Sequence, residues 1–438
     1  MYLPDYVRAC VDALEDRGFP AYAVGGCVRD SLLGLAPHDY DLCTAATPEQ
    51  IKQVFHDHQL VLAGEKHGTV SVVTEEGLVE ITTFRAEGSY EDGRHPGWVC
   101  FVPQVEQDLS RRDFTVNAMA YSPTRGFSDP YGGREDLKNR VLRAVGDPVT
   151  RFQEDALRIL RGVRFSVRYG LTAEPATMEA MFSLAPLMDR LARERVFDEL
   201  CKLLPLVTAR DLLTFTPVIT QVIPELAPAV GFDQRSPHHA YDVFTHTAHV
   251  VEAMPRDTLL RWAALLHDVG KPQTFYLDPD GRGHFPDHAK VGGEMADQIL
   301  LRLKAPTALR SQVTDLISRH MTPLTPDKKI LRRRLGKYGT EATFRLLALQ
   351  RADFGCKGTK EETDLFDRVA RLLEELLEEG ACLHIRDLAV DGHDLIELGF
   401  TPGPGVGNCL AQLLSLVQDE RLPNEKQALL AAARQYSI

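Results

Sequence analysis

One stretch decides the fold of this chain: Ala21-Tyr22-Ala23-Val24-Gly25-Gly26-Cys27-Val28-Arg29-Asp30. Residues 21–25 predict a strand that enters a glycine turn, and residues 28–33 predict the helix that follows. Glycines at such a turn let backbone amides approach a phosphate, and the start of a helix adds positive potential. The turn and the Arg29 guanidinium are therefore candidate phosphate-binding groups, although a pair of glycines also occurs in ordinary tight turns.

The stretch continues to a second signal, Asp39-Tyr40-Asp41. Side chains of an extended segment alternate between faces, so both carboxylates project from the same face. Two acceptor-only groups repel each other unless a cation bridges them, and Mg²⁺ with triphosphate oxygens is the usual bridge. An isolated Asp-x-Asp is more often a surface feature, but its order after a glycine turn, a helix and an arginine favours a nucleotide site.

Two segments rich in arginine follow. The segment 111–120 begins Arg-Arg-Asp and becomes apolar, which predicts either a nucleotide contact through Arg112 or the capped start of a helix. The segment 154–164 predicts a helix with an apolar stripe opposite a charged arc, on which Asp155 and Arg158 are neighbours. That pair is either a base-reading pair or an ordinary surface salt bridge.

These motifs together resemble class II tRNA nucleotidyltransferases and bacterial poly(A) polymerases. The resemblance rests on Gly-Gly-x-Val-Arg-Asp and Asp-x-Asp-x-x-Thr within residues 25–44, on Arg-Arg-Asp-Phe-Thr-x-Asn-Ala-Met-Ala at 111–120, and on Glu-Asp-x-x-Arg at 154–158. Residues 195–200 resemble the helix that follows these motifs in the family. The resemblance implies an α+β fold, in which a polymerase-β-like head precedes helical neck, HD and tail domains.

The same resemblance implies roles for individual residues. Asp39 and Asp41 would hold the catalytic Mg²⁺ ions, and Glu80 is a further acid that the sequence does not assign. The residues implied to bind the triphosphate and ribose are Gly26, Arg29 and Arg112; those implied to contact or flank the base of CTP or ATP are Asp155, Arg158, Arg161 and Arg164.

Several activities are compatible with these motifs. Residues 83–85 and 90–96 resemble the loop associated with addition of the terminal A, and residues 64–70 look more like tRNA enzymes than poly(A) polymerases. The sequence therefore favours addition of CCA to tRNA from CTP and ATP, with A-only and poly(A) addition as alternatives. An HD phosphohydrolase whose head has become an RNA-binding module is disfavoured by the intact Asp39 and Asp41.

The second half carries a set of histidines and aspartates that resembles HD-superfamily phosphohydrolases. Imidazoles and carboxylates on separate helices can surround divalent metals that activate water. By that resemblance the ligands of a second divalent transition metal are His246, His267, Asp268 and Asp353, with His288 and His320 as further metal or substrate groups. Packing in a helical core is the alternative role for each histidine.

The length of 438 residues predicts two to four domains, which we divide as 1–148 (head), 149–230 (neck), 231–355 (HD) and 356–438 (tail). The net charge is −12, yet residues 302–351 hold 12 basic and 3 acidic groups. A second excess of arginine spans 140–168. Contact with a polyanion such as tRNA is expected at these two places.

Composition also indicates a cellular location. The eight cysteines are scattered without a Cys-x-x-Cys pair, which favours reduced thiols over a disulfide framework or a cysteine-bound zinc. We find neither a signal peptide nor a membrane-spanning run, and no obligate protein partner is evident. The sequence therefore predicts a cytoplasmic enzyme with tRNA, CTP and ATP as its partners.

Overall fold

The computed structural model describes residues 1–87, 99–236, 240–356 and 360–436. The chain forms two compact units, one of residues 1–206 and 214–224, the other of residues 207–213 and those from 225 onward. The predicted division into four domains stays a prediction. The predicted loop at 90–96 lies outside the described residues.

The strands, in chain order, are Ala21–Val24 (β1), Asp41–Thr44 (β2), Gln59–Val61 (β3), Thr69–Val73 (β4), Leu78–Thr83 (β5), Arg85–Glu87 (β6), Val99–Phe101 (β7), Ala120–Ser122 (β8), Gly126–Ser128 (β9), Val141–Leu142 (β10), Thr172–Ala173 (β11), Tyr276–Leu277 (β12) and Gly283–His284 (β13). The helices before residue 225 are Asp5–Glu15 (α1), Gly26–Leu32 (α2), Pro48–Val54 (α3), Val105–Ser110 (α4), Gly133–Lys138 (α5), Pro148–Glu154 (α6), Leu157–Tyr169 (α7), Pro175–Ser183 (α8), Arg193–Leu203 (α9), Ala209–Thr214 (α10) and Thr216–Val222 (α11). The later helices are Val243–Ala253 (α12), Thr258–Leu266 (α13), Lys271–Thr274 (α14), His288–Arg302 (α15), Thr307–Arg319 (α16), Lys328–Tyr338 (α17), Thr340–Gly355 (α18), Lys360–Glu378 (α19), Gly392–Glu397 (α20), Pro404–Gln418 (α21) and Lys426–Ala433 (α22).

The first unit is built on a seven-stranded mixed sheet with the order β3-β4-β5-β2-β1-β8-β9. β2 pairs antiparallel with β1 and parallel with β5, and this register sets Asp41 opposite Glu80. The next pair along these strands, Leu42 and Ile81, is fully buried. The alternation along two central strands therefore brings two carboxylates together on the exposed face. The strand, glycine turn and helix predicted at residues 21–33 are all present. The β-branched runs 68–74 and 78–84, separated by Glu-Glu-Gly, predict a hairpin, and this hairpin is β4–β5.

The segment from Arg111 to Ala120 does not begin a long helix. α4 ends at Ser110, a single 3₁₀ turn covers Thr115–Asn117, and β8 follows. Phe114 is fully buried, and the Asn117 amide donates to Asp113 at 3.0 Å. The alternative of a capped helix start is therefore wrong, because buried polar contacts hold this segment in a compact turn.

Helices dominate the chain after residue 148. Of the stripe predicted on α7, Ile159, Leu160 and Val163 are buried and Val167 is half-buried. The helix ends at Gly170 with φ of +61°. In the second unit, α12, α13, α15, α16 and α18 form the helical region that carries the histidines. The sequence also predicts a loop at 278–288; β12 precedes this segment, β13 lies within it, and α15 begins at its last residue, His288. Apart from such two-residue strands the region is helical, so the α+β class is confirmed.

Candidate functional site

Three carboxylates converge at the exposed edge of β2 and β5. Asp41 is the first residue of β2 and lies opposite Glu80, and Asp39 precedes it by two residues. Partial desolvation and the negative charges of Asp39 and Glu80 raise the pKa of Asp41 to about 6, against the lowering effect of Arg112. A cation would relieve this repulsion, so the donor set fits a divalent metal that prefers oxygen ligands.

The glycine turn and Arg112 lie directly against each other. Gly25 has φ of +74°, and a Cβ built there would fall 2.8 Å from Arg112 Nη1. A side chain at position 25 would therefore displace the guanidinium. The Nε of Arg112 is buried without a hydrogen-bond partner in the part of the chain that the structure describes. A buried unpaired donor beside a glycine turn suits an anionic ligand.

Asp108, which the sequence analysis missed, holds this arginine in place. The Asp108 carboxylate is fully buried and accepts hydrogen bonds from Arg111 at 2.8 Å and Arg112 at 3.4 Å, as well as from the Arg85 backbone amide at 3.3 Å. Burial alone would raise the pKa of Asp108, but the two guanidinium groups lower it overall. Its only sequence signal is its position one helical turn before Arg112.

Arg29 is more enclosed than its predicted role suggests. Its side chain is buried, and the guanidinium donates to the Asn117 side chain, to the Tyr169 hydroxyl at 2.5 Å and to Asp30 at 2.8 Å. The guanidinium also lies 4.2 Å from the Tyr169 ring centroid. These contacts brace the start of α2, and contact with a triphosphate stays a prediction for this residue.

The two predicted base-reading residues are held by different partners. Asp155 accepts a hydrogen bond from Arg195 at 2.8 Å and from the Leu157 backbone amide at 3.0 Å. Arg158 donates to Glu154 at 2.6 Å and to the Arg111 carbonyl at 3.0 Å. Each side chain is thus fixed at the start of α7, so the pair is pre-oriented rather than mobile.

Two further arginines of α7, Arg161 and Arg164, also have specific carboxylate partners. Arg161 donates to Asp113 at 2.8 Å, and Arg164 donates to Glu199 at 2.5 Å. Burial alone would raise the pKa of Asp113, but Arg161 and the Asn117 amide lower it to about 2. Arg158, Arg161 and Arg164 therefore each pair with a different acid. These acids lie on α6, in the 111–120 segment and on α9.

The second unit contains a buried cluster of histidines and aspartates. His246, His267, Asp268 and Asp353 are each at least 97 % buried, and His246 Nε2 lies 2.9 Å from Asp353 Oδ1 across 107 residues of sequence. His267 Nε2 lies 3.2 Å from Asp268 Oδ2. The structure thus brings together all four predicted ligands, which come from α12, α18 and the end of α13.

Two sets of potential ligand atoms in this cluster lie within 4.8 Å of one another: His246, His267 and Asp268, and Asp268, His288 and His320. The Nδ1 atoms of His267, His288 and His320 each lie 2.7 Å from a backbone carbonyl three residues earlier. A carbonyl only accepts, so Nδ1 carries the proton and Nε2 presents its lone pair. This tautomer is the one that a metal ligand requires.

His288 and His320 show why a cation fits this cluster. Their Nε2 atoms are 3.3 Å apart. With Nδ1 protonated in both rings, two lone pairs face each other at this distance and repel. Burial, reinforced by the neighbouring His267, lowers the pKa of His320 to about 4. His320 is therefore neutral at pH 7, and protonation does not relieve the repulsion between the two lone pairs.

Three family models match parts of the chain. The poly A polymerase head domain matches residues 21–143, and the probable RNA and SrmB-binding site of polymerase A matches residues 170–229. A putative domain 2 of tRNA nucleotidyltransferases matches residues 285–433. The predicted polymerase-type head with a helical extension is thereby confirmed.

Similarity to individual proteins extends over nearly the whole chain. The CCA-adding enzyme of Levilactobacillus brevis is 33% identical over 441 residues, which cover 98% of this chain and 97% of that enzyme. The structure of the Bacillus stearothermophilus CCA-adding enzyme in complex with CTP matches with a TM-score of 0.74 and 27% identity, over 99% of this chain and 98% of that one. The Thermotoga maritima CCA-adding enzyme, solved in complex with tRNA, shares the fold with a TM-score of 0.62 and 20% identity, over 99% and 96% of the two chains.

A search of the helices in the described ranges found none that is long and apolar enough to span a membrane.

Proposed function

Because this chain belongs to the family of CCA-adding enzymes, we propose that it adds CCA to the 3′ ends of tRNA from CTP and ATP and releases pyrophosphate. The convergence of Asp39, Asp41 and Glu80 beside the Gly25 turn and Arg112 is the observation that carries this proposal. Carboxylates for metal ions and a donor group for a triphosphate occur together there. We propose the cytoplasm as the location of this reaction.

The proposed chemistry is attack of the tRNA 3′-hydroxyl on the α-phosphate of the incoming nucleotide. Asp39 and Asp41 would hold Mg²⁺, which would supply positive charge that stabilises the attacking and leaving oxygens. Glu80 supplies a third carboxylate opposite Asp41. Arg112, oriented by Asp108, and the amides of the glycine turn at Gly26 bind the triphosphate.

Selection of the nucleotide is assigned to the start of α7. Asp155 offers acceptors and Arg158 offers donors, which together match the hydrogen-bonding edge of cytosine or adenine without a template. Arg195 and Glu154 orient the two side chains. Full CCA addition is preferred to A-only or poly(A) addition because the full-length relatives are CCA-adding enzymes.

Substitution of the catalytic carboxylates tests this proposal. Asp39→Ala or Asp41→Ala removes a metal ligand at an exposed strand edge, so nucleotide addition is expected to be abolished while tRNA binding and the thermal midpoint stay near wild type. Glu80→Gln is expected to lower the rate by a smaller factor. Incorporation of labelled CTP into tRNA lacking CCA measures all three, with Asp198→Ala as an exposed control. Activity of either alanine variant within about tenfold of wild type would refute the metal assignment.

We propose a second function for the histidine cluster, a metal-dependent phosphohydrolase. Two groups of ligand atoms share Asp268. His246, His267 and Asp353 would hold one cation together with this carboxylate, and His288 and His320 would hold another. Imidazole and carboxylate ligands suit Mn²⁺, Fe²⁺, Co²⁺, Ni²⁺ or Zn²⁺. Such metals supply activated water, and a 2′,3′-cyclic phosphate at a damaged RNA end is the proposed substrate class.

The double variant His267→Ala with Asp268→Ala tests this second function. It is expected to remove hydrolysis of a cyclic phosphate, assayed with each metal in turn, while CCA addition persists because the two sites share no ligand. The matched control is Asp278→Ala with His284→Ala, which removes an exposed His–Asp pair separated by 2.8 Å on the β12–β13 hairpin. If wild-type protein hydrolyses no phosphate ester with any of these metals, the cluster is structural.

A further inference from the structure

One tyrosine outside the motifs of the sequence lies against Arg29. Tyr169 is the last residue of α7 and is buried. Its hydroxyl accepts a hydrogen bond from Arg29 Nη2 at 2.5 Å, and the guanidinium carbon lies 4.2 Å from its ring centroid. A phenylalanine would keep the ring contact and lose the hydrogen bond. The hydroxyl therefore supplies an interaction that packing alone does not require.

The position of Tyr169 is itself fixed. Its backbone carbonyl accepts a hydrogen bond from Arg140 at 2.8 Å, and Gly170 ends the helix directly after it. Burial raises the pKa of the Tyr169 hydroxyl, against the lowering effect of Arg29. The hydroxyl is therefore un-ionised at pH 7 and offers a neutral acceptor at a fixed place.

The guanidinium that Tyr169 contacts lies against the glycine turn. A Cβ built at Gly26 would lie 3.6 Å from Arg29 Nη2, the same nitrogen that donates to Tyr169. Nη1 donates to the side chain of Asn117, whose backbone carbonyl lies 3.8 Å from the Cβ position of Gly25. A positive charge fixed beside this turn favours an anionic ligand there.

The same helix contacts this guanidinium a second time, through a chain of hydrogen bonds. Arg161 on α7 donates to Asp113, and Asp113 accepts from the Asn117 amide. The oxygen of that amide group accepts from Arg29. Arg161 and Tyr169 lie about 12 Å apart along α7, given a rise of about 1.5 Å per residue. Arg29 is thus held from two places on one helix, and rotation of its side chain is restricted.

We propose that Tyr169 is a positioning residue for triphosphate binding, which acts by holding Arg29 against the glycine turn. The inference rests on the proposed nucleotide addition for the identity of the ligand. The hydroxyl acts through Arg29 and not through Asp155 and Arg158, the pair proposed to contact the base. Its loss is therefore expected to weaken CTP and ATP alike, without a change in the choice between them.

The test is Tyr169→Phe in the full chain, with dissociation constants for CTP and CMP measured by calorimetry. Loss of one hydrogen bond is expected to raise the dissociation constant of CTP about three- to tenfold. That of CMP, which lacks the β- and γ-phosphates, is expected to stay within about twofold of wild type. In tRNA extension the KM values for CTP and ATP should rise by the same factor, with kcat at saturating nucleotide within about twofold.

A double-mutant cycle shows whether Tyr169 acts through Arg29. Arg29→Met removes the donors and keeps a side chain of similar length. In that background Tyr169→Phe is expected to change the dissociation constant of CTP by less than about twofold, because the interaction is already absent. A full additional loss would show that Tyr169 acts by another route. If Arg29→Met does not fold, the comparison of CTP with CMP decides alone.

The matched control is Tyr121→Phe. Tyr121 is a half-buried tyrosine of β8, and its ring centroid lies 4.7 Å from that of Phe127. This variant is expected to bind both nucleotides as the wild type does. Unchanged CTP affinity in Tyr169→Phe, or an equal loss for CTP and CMP, would overturn the inference. Failure of the wild type to extend tRNA would instead refute the proposed function, and the calorimetric comparison would still test the role of Tyr169.

Discussion

At the scale of single residues, Asp155 and Arg158, the side chains proposed to contact the base, are each held by a neighbouring charged group. Arg195 fixes one carboxylate oxygen of Asp155, and Glu154 fixes one guanidinium nitrogen of Arg158. Both side chains therefore lose little rotational freedom when a base binds. Pre-orientation of this kind favours selectivity, because an incorrect base leaves a fixed polar group without a partner.

Asp155→Ala and Arg158→Ala are expected to impair the choice of nucleotide more than triphosphate binding. Each lost hydrogen bond contributes roughly 0.5–1.5 kcal/mol, so incorporation of UTP or GTP relative to CTP should increase by up to about tenfold. Incorporation ratios for the four nucleotides are measured on one tRNA. Arg168→Ala, an exposed arginine on the same helix, is the control.

A uniform decrease with unchanged ratios would contradict this role and would make Asp155 and Arg158 purely structural. Arg195→Ala separates orientation from direct contact. It removes the partner of Asp155 and is expected to relax selectivity less than Asp155→Ala does.

At the scale of elements, α7 is joined to the 111–120 segment and α9 by buried charge pairs. Arg161 donates a hydrogen bond to Asp113, which is 48 residues away in sequence, and Arg164 donates to Glu199, which is 35 residues away. Asp113 also accepts the Asn117 amide, which in turn accepts from Arg29. One hydrogen-bonded chain thus runs from α7 to α2, the helix that follows the glycine turn.

Asp113→Asn is expected to destabilise the first unit by about 2 kcal/mol at pH 7, because the folded pKa of about 2 lies below the usual 3.8. A carboxyl group whose pKa is lowered on folding stabilises the folded state fully above about pH 4. This stabilisation is lost as the pH falls through 2, because the carboxylate becomes protonated. Urea unfolding of wild type and variant at several pH values measures the difference. Asp198→Asn, at an exposed position of α9, is the control.

A difference between wild type and Asp113→Asn that stayed constant down to pH 2 would show that the asparagine acts through packing. In that case the ion pair with Arg161 would not be the source of stability.

The features that could be predicted from sequence are those set by local pattern. The strand, glycine turn and helix at 21–33, the hairpin at 69–83 and the stripe on α7 each follow from the order of apolar residues and glycines. The partners of Arg158, Arg161 and Arg164 could not be predicted in this way. Helix periodicity predicts that an arginine faces outward, but it does not identify the distant acid with which the arginine pairs.

Asp108 and the histidine cluster show the same limit. Asp108 is an unremarkable acid on a short helix until the fold buries it against two guanidinium groups. His246 and Asp353 are separated by 107 residues, and only the packing of α12 against α18 brings them within 2.9 Å. Their common role was predicted through a family resemblance, since no local pattern connects them.

At the scale of the whole molecule, the chain carries two chemically different clusters of potential metal ligands, one in each compact unit. The carboxylates at β2 and β5 offer oxygen ligands, whereas the second unit offers imidazole with carboxylate. These sets favour different metals, Mg²⁺ for the first and a transition metal for the second. Activity in Mg²⁺ alone should therefore separate nucleotide addition from phosphate-ester hydrolysis.

The most direct test of the central claim, CCA addition, is the sequence of tRNA 3′ ends after reaction. A tRNA transcript lacking CCA is incubated with the protein and Mg²⁺, with CTP alone, with ATP alone and with both nucleotides. The account predicts ends of CC with CTP alone, no extension with ATP alone, and CCA with both, all abolished in Asp41→Ala. A tract of adenosines from ATP alone, or no extension of this tRNA with CTP alone or with both nucleotides, would contradict it.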